Sequence, residues 1–172
     1  ATGCSSIYSG STPETPFCTD KDGQGVAWAN SLFEDNAEFG YGMRIASDYK
    51  MTQIVRIFED ALKASSVSKE LKGLIRTYLA NVKNRSEIRK ILPELVAQIK
   101  ASKNKAIKEV LAYERDLLDK SIWIVGGDGW SYDIGYGGLD HVIADGKADV
   151  NVMVLDTEVY SNTGGQSSKS SQ

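Results

Sequence analysis

The chain has few of the residues that build disulfide frameworks or complete metal centres. It contains only two Cys, one His and three Pro among 172 residues. Cys4 and Cys18 are too few for a disulfide framework, and they fit a reducing compartment. No apolar run approaches the roughly 20 residues of a membrane span. The formal charge of −3 argues against nucleic acid as a partner.

Glycine and charge are distributed unevenly along the chain. Residues 47–120 carry 16 Lys/Arg against 10 Asp/Glu, and the remainder carries 4 against 13. Fifteen of the 16 glycines also lie outside 47–120. We therefore expect a glycine-rich, acidic module formed by residues 1–46 and 121–172, interrupted by a basic helical segment over 47–120. The chain begins without Met in turn-like sequence and ends in a Ser-rich turn, so we expect a piece of a longer polypeptide.

Residues 50–119 have the apolar periodicity of amphipathic helices. Pro93 predicts a kink or a break in the third of them. We interpret the stripes as core faces and the Lys/Arg excess as a solvated face, with a docking surface for an acidic electron carrier as the alternative. The four stripes comprise Met51, Ile54, Val55, Phe58, Ala61 and Leu62; Leu71, Leu74, Ile75, Tyr78, Leu79 and Val82; Ile88, Ile91, Leu92, Leu95, Val96 and Ile99; and Ile107, Val110, Leu111, Leu117 and Leu118.

The glycine-rich module predicts a βαβ unit near its end. Residues 122–125 form a continuous apolar run, which is typical of a strand covered on both faces. A helix follows over about 137–144, and residues 150–155 form the second strand. Such units build parallel sheets whose ligands bind beyond the carboxyl ends of the strands. Residues 1–46 are interpreted as loops around short elements, with a short helix somewhere in 28–43.

The sequence Gly127-Asp128-Gly129 follows the first predicted strand. A glycine-rich loop in this position typically binds phosphate through backbone N–H groups, but the carboxylate of Asp128 would repel a diphosphate. A divalent cation between the two groups removes this conflict, and Mg²⁺ takes oxygen ligands from protein, phosphate and water. We therefore predict a metal-bridged diphosphate site, with further ligands from the segment after the second strand, residues 156–166.

Two long stretches resemble pyruvate:ferredoxin (flavodoxin) oxidoreductase. They are Trp123 to Lys169, which includes GGDGWSYDIGYGGLDH and DTEVYSNTGGQSSK, and Ala1 to Met43, which begins ATGCSSIY. The resemblance implies an α/β thiamine diphosphate-binding fold with a parallel sheet, partial in this chain and interrupted by the helical insertion. It also implies CoA-dependent oxidative decarboxylation of pyruvate to acetyl-CoA and CO₂, with electrons leaving through iron–sulfur clusters.

The resemblance gives roles to residues of both motifs. Asp128, Thr157 and the backbone carbonyl of Val159 correspond to the ligands of Mg²⁺, which holds the cofactor's diphosphate. Gly127 and Gly129 let the backbone approach the phosphates closely. Asn162 corresponds to the amide beside the thiazolium and the substrate, where it can polarise a carbonyl.

The N-terminal stretch carries two further expectations from the resemblance. Cys4 corresponds to one ligand of the [4Fe–4S] cluster nearest the thiamine; such clusters take four thiolates, and the other three lie outside this chain. Ile7 corresponds to the apolar side chain that supports the bent conformation of thiamine. Cys18 is expected to be structural, and His141, on the predicted helix, to have no catalytic role.

Several alternatives stay open at this point. A pyruvate:NADP⁺ oxidoreductase or another 2-oxoacid oxidoreductase would carry the same residues, and a non-catalytic helical interaction module with a degenerate cofactor fold is a third possibility. A dinucleotide site is disfavoured because the loop lacks the third glycine of that fingerprint. The expected partners are pyruvate, coenzyme A and ferredoxin or flavodoxin, and neither nucleic acid nor a membrane is expected as a partner. The full-length enzyme is expected to be a homodimer. Its expected location is the cytoplasm or an anaerobic energy organelle such as a hydrogenosome.

Overall fold

A computed structural model describes residues 34–160 and 164–171, with isolated positions 19, 21, 23, 25, 27 and 29. The chain divides into two compact units. The glycine-rich unit consists of the residues up to Arg44 together with those from Ser121 onward, and the helical unit comprises Ile45–Lys120. Among the described residues, no helix is both long enough and apolar enough to cross a membrane.

The helical unit consists of helices with polar side chains at their N-termini. Helix α1 (Asn36–Lys63) begins in the glycine-rich unit, and it is followed by α2 (Lys69–Ala80), α3 (Arg85–Ala101), α4 (Lys105–Lys108) and a 3₁₀ segment, Glu109–Asp116. Ser68, Asn84 and Asn104 accept hydrogen bonds from the third backbone N–H of α2, α3 and α4. These caps satisfy N–H groups that have no partner within the helix.

The predicted stripes form the core of the helical unit. Phe58 and Tyr78 pack edge to face with their ring centroids 5.0 Å apart. The buried Tyr78 hydroxyl donates to the backbone carbonyl of Leu117 at 2.7 Å. The buried apolar residues of this core are Met51, Ile54, Phe58, Ala61, Val67, Leu71, Ile75, Tyr78, Ile88, Leu95, Ile99, Ile107, Val110 and Leu117.

Two expectations about the helices are wrong in detail. Helix α1 starts at Asn36, so residues 36–46, interpreted from the sequence as loops around short elements, are helical, and the short helix expected within 28–43 is part of a 28-residue one. Of the kink or break predicted at Pro93, the break is wrong, because α3 continues through this residue. Proline removes one backbone hydrogen bond. Ile88, Leu95 and Ile99 are buried on either side of it, and such packing provides most of a helix's stability.

The glycine-rich unit contains the predicted βαβ arrangement. Strand β1 (Ile122–Gly126) pairs in parallel with β2 (Val150–Val154), and helix α5 (Tyr136–Asp145) connects them. A π-helical turn, Gly129–Asp133, lies between β1 and α5. Two short antiparallel strands follow, β3 (Val159–Tyr160) and β4 (Gln166–Ser167). This mixture of helices with a small parallel sheet confirms the α/β class.

The two faces of the parallel sheet differ in burial at β1. Ile124 packs with Ala37 of α1 and with Leu139 and Val142 of α5. On the opposite face, Trp123 is 57% exposed. The expectation that β1 is covered on both faces is therefore wrong at Trp123, although Val125 on the same face is half-buried.

Candidate functional site

The Gly-Asp-Gly sequence lies where β1 ends and a helical turn begins. The backbone N–H and the hydroxyl of Ser131 both donate to the Gly127 carbonyl, at 3.0 and 2.9 Å. The N–H of Ile134 donates to the Gly129 carbonyl at 2.8 Å, five residues back, which makes this a π-helical turn. Single π-helical turns occur frequently at functional sites. The turn holds Gly127, Asp128 and Gly129 in buried positions at the carboxyl end of the strand.

The Asp128 carboxylate is the centre of the site. Asp128 is only 2% exposed. Oδ2 accepts hydrogen bonds from the Thr157 N–H at 3.1 Å and from the Thr157 hydroxyl at 2.6 Å. Oδ1 accepts from the Glu158 N–H at 3.2 Å and from the Ser170 hydroxyl at 2.9 Å. Four donors from two other segments thus converge on one carboxylate.

These donors determine the protonation state of Asp128. Burial alone raises the pKa of this carboxyl group, because it disfavours the charged form. The hydrogen bonds from Thr157 and Ser170 stabilise the carboxylate and outweigh burial, so the pKa lies below its ordinary value. Asp128 is therefore ionised at neutral pH and able to act as a cation ligand.

The Thr157 hydroxyl oxygen lies next to two other oxygen atoms of the predicted metal site. The Thr157 hydroxyl oxygen is 2.6 Å from Asp128 Oδ2 and 3.1 Å from the Val159 carbonyl oxygen. Neighbouring ligands of an octahedral Mg²⁺ with bonds of 2.0–2.1 Å are about 2.9 Å apart. The type of donor and the spacing both fit Mg²⁺. Among the described residues no group of three or more His, Cys, Asp or Glu side chains could hold a metal, so a metal here would take its other ligands from oxygens such as this hydroxyl and carbonyl, from phosphate or from water.

Gly129 is a position of close approach within the chain. A Cβ atom built at Gly129 would lie 2.2 Å from Cε1 of the Tyr160 ring. A larger residue at 129 would therefore displace β3, which also carries Val159. The observed neighbour of this glycine is thus a tyrosine ring from the strand that follows Thr157.

Asp133, at the end of the π-helical turn, contacts β3 and the segment that follows β4. Its Oδ2 accepts from the Tyr160 hydroxyl at 3.0 Å and from the Lys169 N–H at 3.3 Å. Its Oδ1 lies 3.5 Å from the Lys169 ammonium nitrogen. Asp133 therefore links the turn to residues on either side of β4.

A second Asp–Tyr pair lies nearby. The Tyr132 hydroxyl donates to Asp156 Oδ2 at 3.2 Å, and Asp156 Oδ1 accepts from the Glu158 N–H at 3.3 Å. Burial, Asp156 and Asp128 together raise the pKa of Tyr132. Glu158 has φ = 63°, a left-handed conformation that is uncommon outside glycine. This conformation turns the Glu158 N–H toward both carboxylates.

Sequence reasoning missed Ser131, Asp133, Tyr160 and Ser170. Ser131 contacts Gly127 through the geometry of the local turn. Tyr160 and Asp133 are 27 positions apart, and Ser170 and Asp128 are 42 positions apart, and no rule of sequence spacing relates residues at such distances. The available signal was that Tyr160 lies within the segment 156–166 already singled out, and that Lys169 and Ser170 follow it closely.

The remaining predicted residues are distributed as follows. Cys4, Ile7, Cys18 and Asn162 lie outside the described residues. His141 lies on α5, with its ring edge-on to Tyr41 at a centroid distance of 5.9 Å.

The chain matches segments of much longer curated proteins. It is 49% identical to a pyruvate:ferredoxin oxidoreductase of Moorella thermoacetica over 100% of the chain and 15% of that protein. It is 51% identical to a pyruvate-flavodoxin oxidoreductase of Klebsiella pneumoniae and 47% identical to a probable pyruvate-flavodoxin oxidoreductase of Escherichia coli; these matches cover 99% and 98% of the chain and 14% of each relative. No protein-family model matches the chain. The chain therefore spans about one seventh of the length of these relatives.

Proposed function

Because the whole chain is homologous to one segment of the pyruvate:ferredoxin and pyruvate-flavodoxin oxidoreductases, we propose that it is the thiamine diphosphate- and Mg²⁺-binding segment of such an enzyme. The relatives carry the names of oxidoreductases, and this chain supplies only a small part of their length. Activity therefore belongs to the full-length protein, and the 172-residue chain alone is expected to be inactive.

The proposed reaction is oxidative decarboxylation of pyruvate. Pyruvate and the thiol form of coenzyme A give acetyl-CoA, CO₂, one proton and two electrons. The electrons pass through iron–sulfur clusters to ferredoxin or flavodoxin, the acceptors that the relatives' names contain. The carbon–carbon bond to the carboxylate breaks, the thioester bond forms, and the keto carbon is oxidised to the level of an acid.

The observation that carries this proposal is the convergence of Asp128, Thr157 and Val159. Their three oxygens are the ligands predicted for Mg²⁺. The Thr157 hydroxyl oxygen is 2.6 Å from Asp128 Oδ2 and 3.1 Å from the Val159 carbonyl oxygen. The ionised Asp128 would hold the metal, and the metal would neutralise a diphosphate at the end of β1. Thiamine diphosphate, when bound, supplies the electron sink that decarboxylation of a 2-oxoacid requires.

Other residues receive roles from the resemblance alone. Gly127 and Gly129 would let the backbone approach the diphosphate. Asn162 would polarise the keto carbonyl, Ile7 would support the bent cofactor, and Cys4 would supply one thiolate to a [4Fe–4S] cluster. A complete cluster requires thiolates from outside this chain.

We also propose pyruvate, coenzyme A and ferredoxin or flavodoxin as the partners of the full-length enzyme, which would act as a homodimer. Its location would be the cytoplasm or an anaerobic energy organelle. The Asp128, Thr157 and Val159 oxygens proposed as metal ligands are all present, which supports an enzyme over a degenerate interaction module.

Pyruvate-dependent reduction of ferredoxin by the full-length enzyme tests the function. We expect activity in the wild type that requires coenzyme A and thiamine diphosphate. Asp128→Ala should lose the cofactor and the activity, whereas Cys4→Ser should retain thiamine diphosphate and lose electron transfer. Unchanged ferredoxin reduction by both variants would refute the proposed roles.

A further inference from the structure

We infer that Asp133 is a positioning residue for the metal-ligand segment Thr157–Val159. The inference rests on the proposed function. The contacts of Asp133 are to Tyr160 and Lys169 and not to the three oxygens proposed as ligands. Asp133 acts through Tyr160, the residue that directly follows Val159 in β3.

The side chain of Tyr160 spans the π-helical turn Gly129–Asp133, from its first residue to its last. Its ring lies against Gly129, where a Cβ would come within 2.2 Å of Cε1. Its hydroxyl reaches Asp133 Oδ2 at 3.0 Å. Gly129 and Asp133 are four positions apart and therefore lie on one face of the turn. The ring is thus held at one end by contact with a glycine and at the other by a hydrogen bond to a carboxylate.

The hairpin region is attached to the same carboxylate at a second point. Asp133 Oδ2 also accepts from the Lys169 N–H at 3.3 Å, two residues beyond β4. Strands β3 and β4 pair through Val159 with Ser167 and Tyr160 with Gln166. Asp133 therefore contacts the chain both within β3 and after β4, which restricts movement of the paired strands as a unit.

The position of β3 determines the position of a metal ligand. The Val159 carbonyl belongs to the peptide bond between Val159 and Tyr160, so displacement of Tyr160 moves this oxygen directly. The Val159 oxygen is 3.1 Å from the Thr157 hydroxyl, within the group of oxygens that fits Mg²⁺. Residues that orient metal ligands in this indirect way affect metal affinity by about 10- to 100-fold.

The three contacts of Asp133 differ in expected importance. The hydrogen bonds from Tyr160 and the Lys169 backbone are made to an ionised acceptor, which strengthens them. The Lys169 ammonium group is exposed and 3.5 Å away, and exposed ion pairs contribute little. The positioning effect should therefore depend on the acceptor oxygen of Asp133 far more than on the Lys169 charge.

The experiment measures Mn²⁺ affinity of the full-length enzyme by electron paramagnetic resonance, with thiamine diphosphate at saturation. We expect Asp133→Ala and Tyr160→Phe each to raise the dissociation constant for Mn²⁺ by about 10-fold or more. The dissociation constant of the double variant for Mn²⁺ should be no higher than that of the weaker-binding single variant, because both changes remove the same hydrogen bond. Asp133→Asn, which keeps an acceptor oxygen, should recover most of the affinity, and Lys169→Met should change it less than threefold.

A purely structural role for Asp133 would give a different pattern. It would predict additive losses in the double variant and no rescue by Asp133→Asn, and either result overturns the inference. An unchanged dissociation constant in Tyr160→Phe also overturns it, and this variant keeps the ring against Gly129 if Asp133→Ala fails to fold. Failure of the proposed function is distinguishable, because Asp128→Ala would then bind Mn²⁺ as tightly as the wild type.

Discussion

The hydroxyl oxygen of Thr157 lies 2.6 Å from Asp128 Oδ2, although 29 residues separate the two in the chain. Strands β1 and β2 run in parallel, so the segments that follow them meet at the same edge of the sheet. This topology, together with the hydrogen bonds of Thr157 and Glu158, brings a carboxylate, a hydroxyl and a carbonyl oxygen to one place.

Replacement of Thr157 by Val should weaken metal binding in the full-length enzyme by at least about 10-fold. The change keeps the shape of the side chain but removes the hydroxyl that contacts both Asp128 and Val159. Thr157→Ser should retain most of the affinity. Calorimetric titration with Mg²⁺ in the presence of thiamine diphosphate provides the measurement.

The matched control for Thr157 is Thr77→Val. Thr77 donates its hydroxyl to the Gly73 carbonyl on the exposed face of α2. The Thr77→Val substitution should leave the metal affinity unchanged. Equal affinities for Thr157→Val and the wild type would show that the hydroxyl is not a ligand.

Gly129→Ala should destabilise the chain by about 1–3 kcal/mol, because the added methyl group would overlap the Tyr160 ring. Gly73→Ala is the matched control. Gly73 lies within α2 with no atom within 4 Å of the added Cβ, so alanine should stabilise the helix by up to about 1 kcal/mol. Urea unfolding of the 172-residue variants measures both changes. A neutral Gly129→Ala would mean that the ring moves aside without cost.

Tyr78→Phe should cost about 1–3 kcal/mol of unfolding free energy, because it leaves the Leu117 carbonyl without the buried tyrosine donor. The matched control is Tyr49→Phe, since Tyr49 is 65% exposed and loses only a solvated hydroxyl. Thermal unfolding followed by circular dichroism provides the comparison. Equal stabilities for the two variants would contradict the importance of this hydrogen bond.

Stability should decrease at acidic pH through Asp116 in the helical unit. Burial raises the pKa of Asp116, but hydrogen bonds and charge from Lys120 and Lys50 outweigh burial, so the pKa in the folded state is below the ordinary value of 3.8. A carboxyl group with a lowered pKa contributes stability that is complete above its unfolded-state pKa and is lost as the pH falls through its folded-state pKa.

The pH prediction is tested by Asp116→Asn, which removes the titrating group. Its unfolding free energy should depend less on pH than that of the wild type between about pH 5 and pH 2. Asp60→Asn is the control, since Asp60 forms only an exposed ion pair with Lys63. Identical pH profiles for Asp116→Asn and the wild type would refute the role of Asp116.

The sequence was sufficient for the parts of the fold that depend on periodicity and local signals. The apolar stripes predicted every buried residue of the helical core except Val67, and the strand starts at 122 and 150 agree with β1 and β2. Periodicity did not reveal the first half of α1, since Gly40 and Gly42 weaken the helical signal there. Exposure of Trp123 was also missed, because an apolar strand residue has the same sequence signal whether or not another element covers it.

The candidate site was predictable only in part. Asp128, Thr157 and Val159 could be named because motif spacing and chain order bring strand ends together. Ser170, Tyr160 and Asp133 could not, because their contacts depend on how the hairpin β3–β4 folds back over the π-helical turn. The left-handed conformation of Glu158 likewise has no local sequence signature, since glutamate rarely adopts it.

The metal-bridged diphosphate site is tested most directly by calorimetric titration of the full-length enzyme with thiamine diphosphate, with and without Mg²⁺, for the wild type and Asp128→Ala. We predict that the wild type binds thiamine diphosphate only when Mg²⁺ is present and that Asp128→Ala does not bind it in either condition. Binding of equal affinity by Asp128→Ala and the wild type in the presence of Mg²⁺ would contradict the metal-bridged diphosphate site.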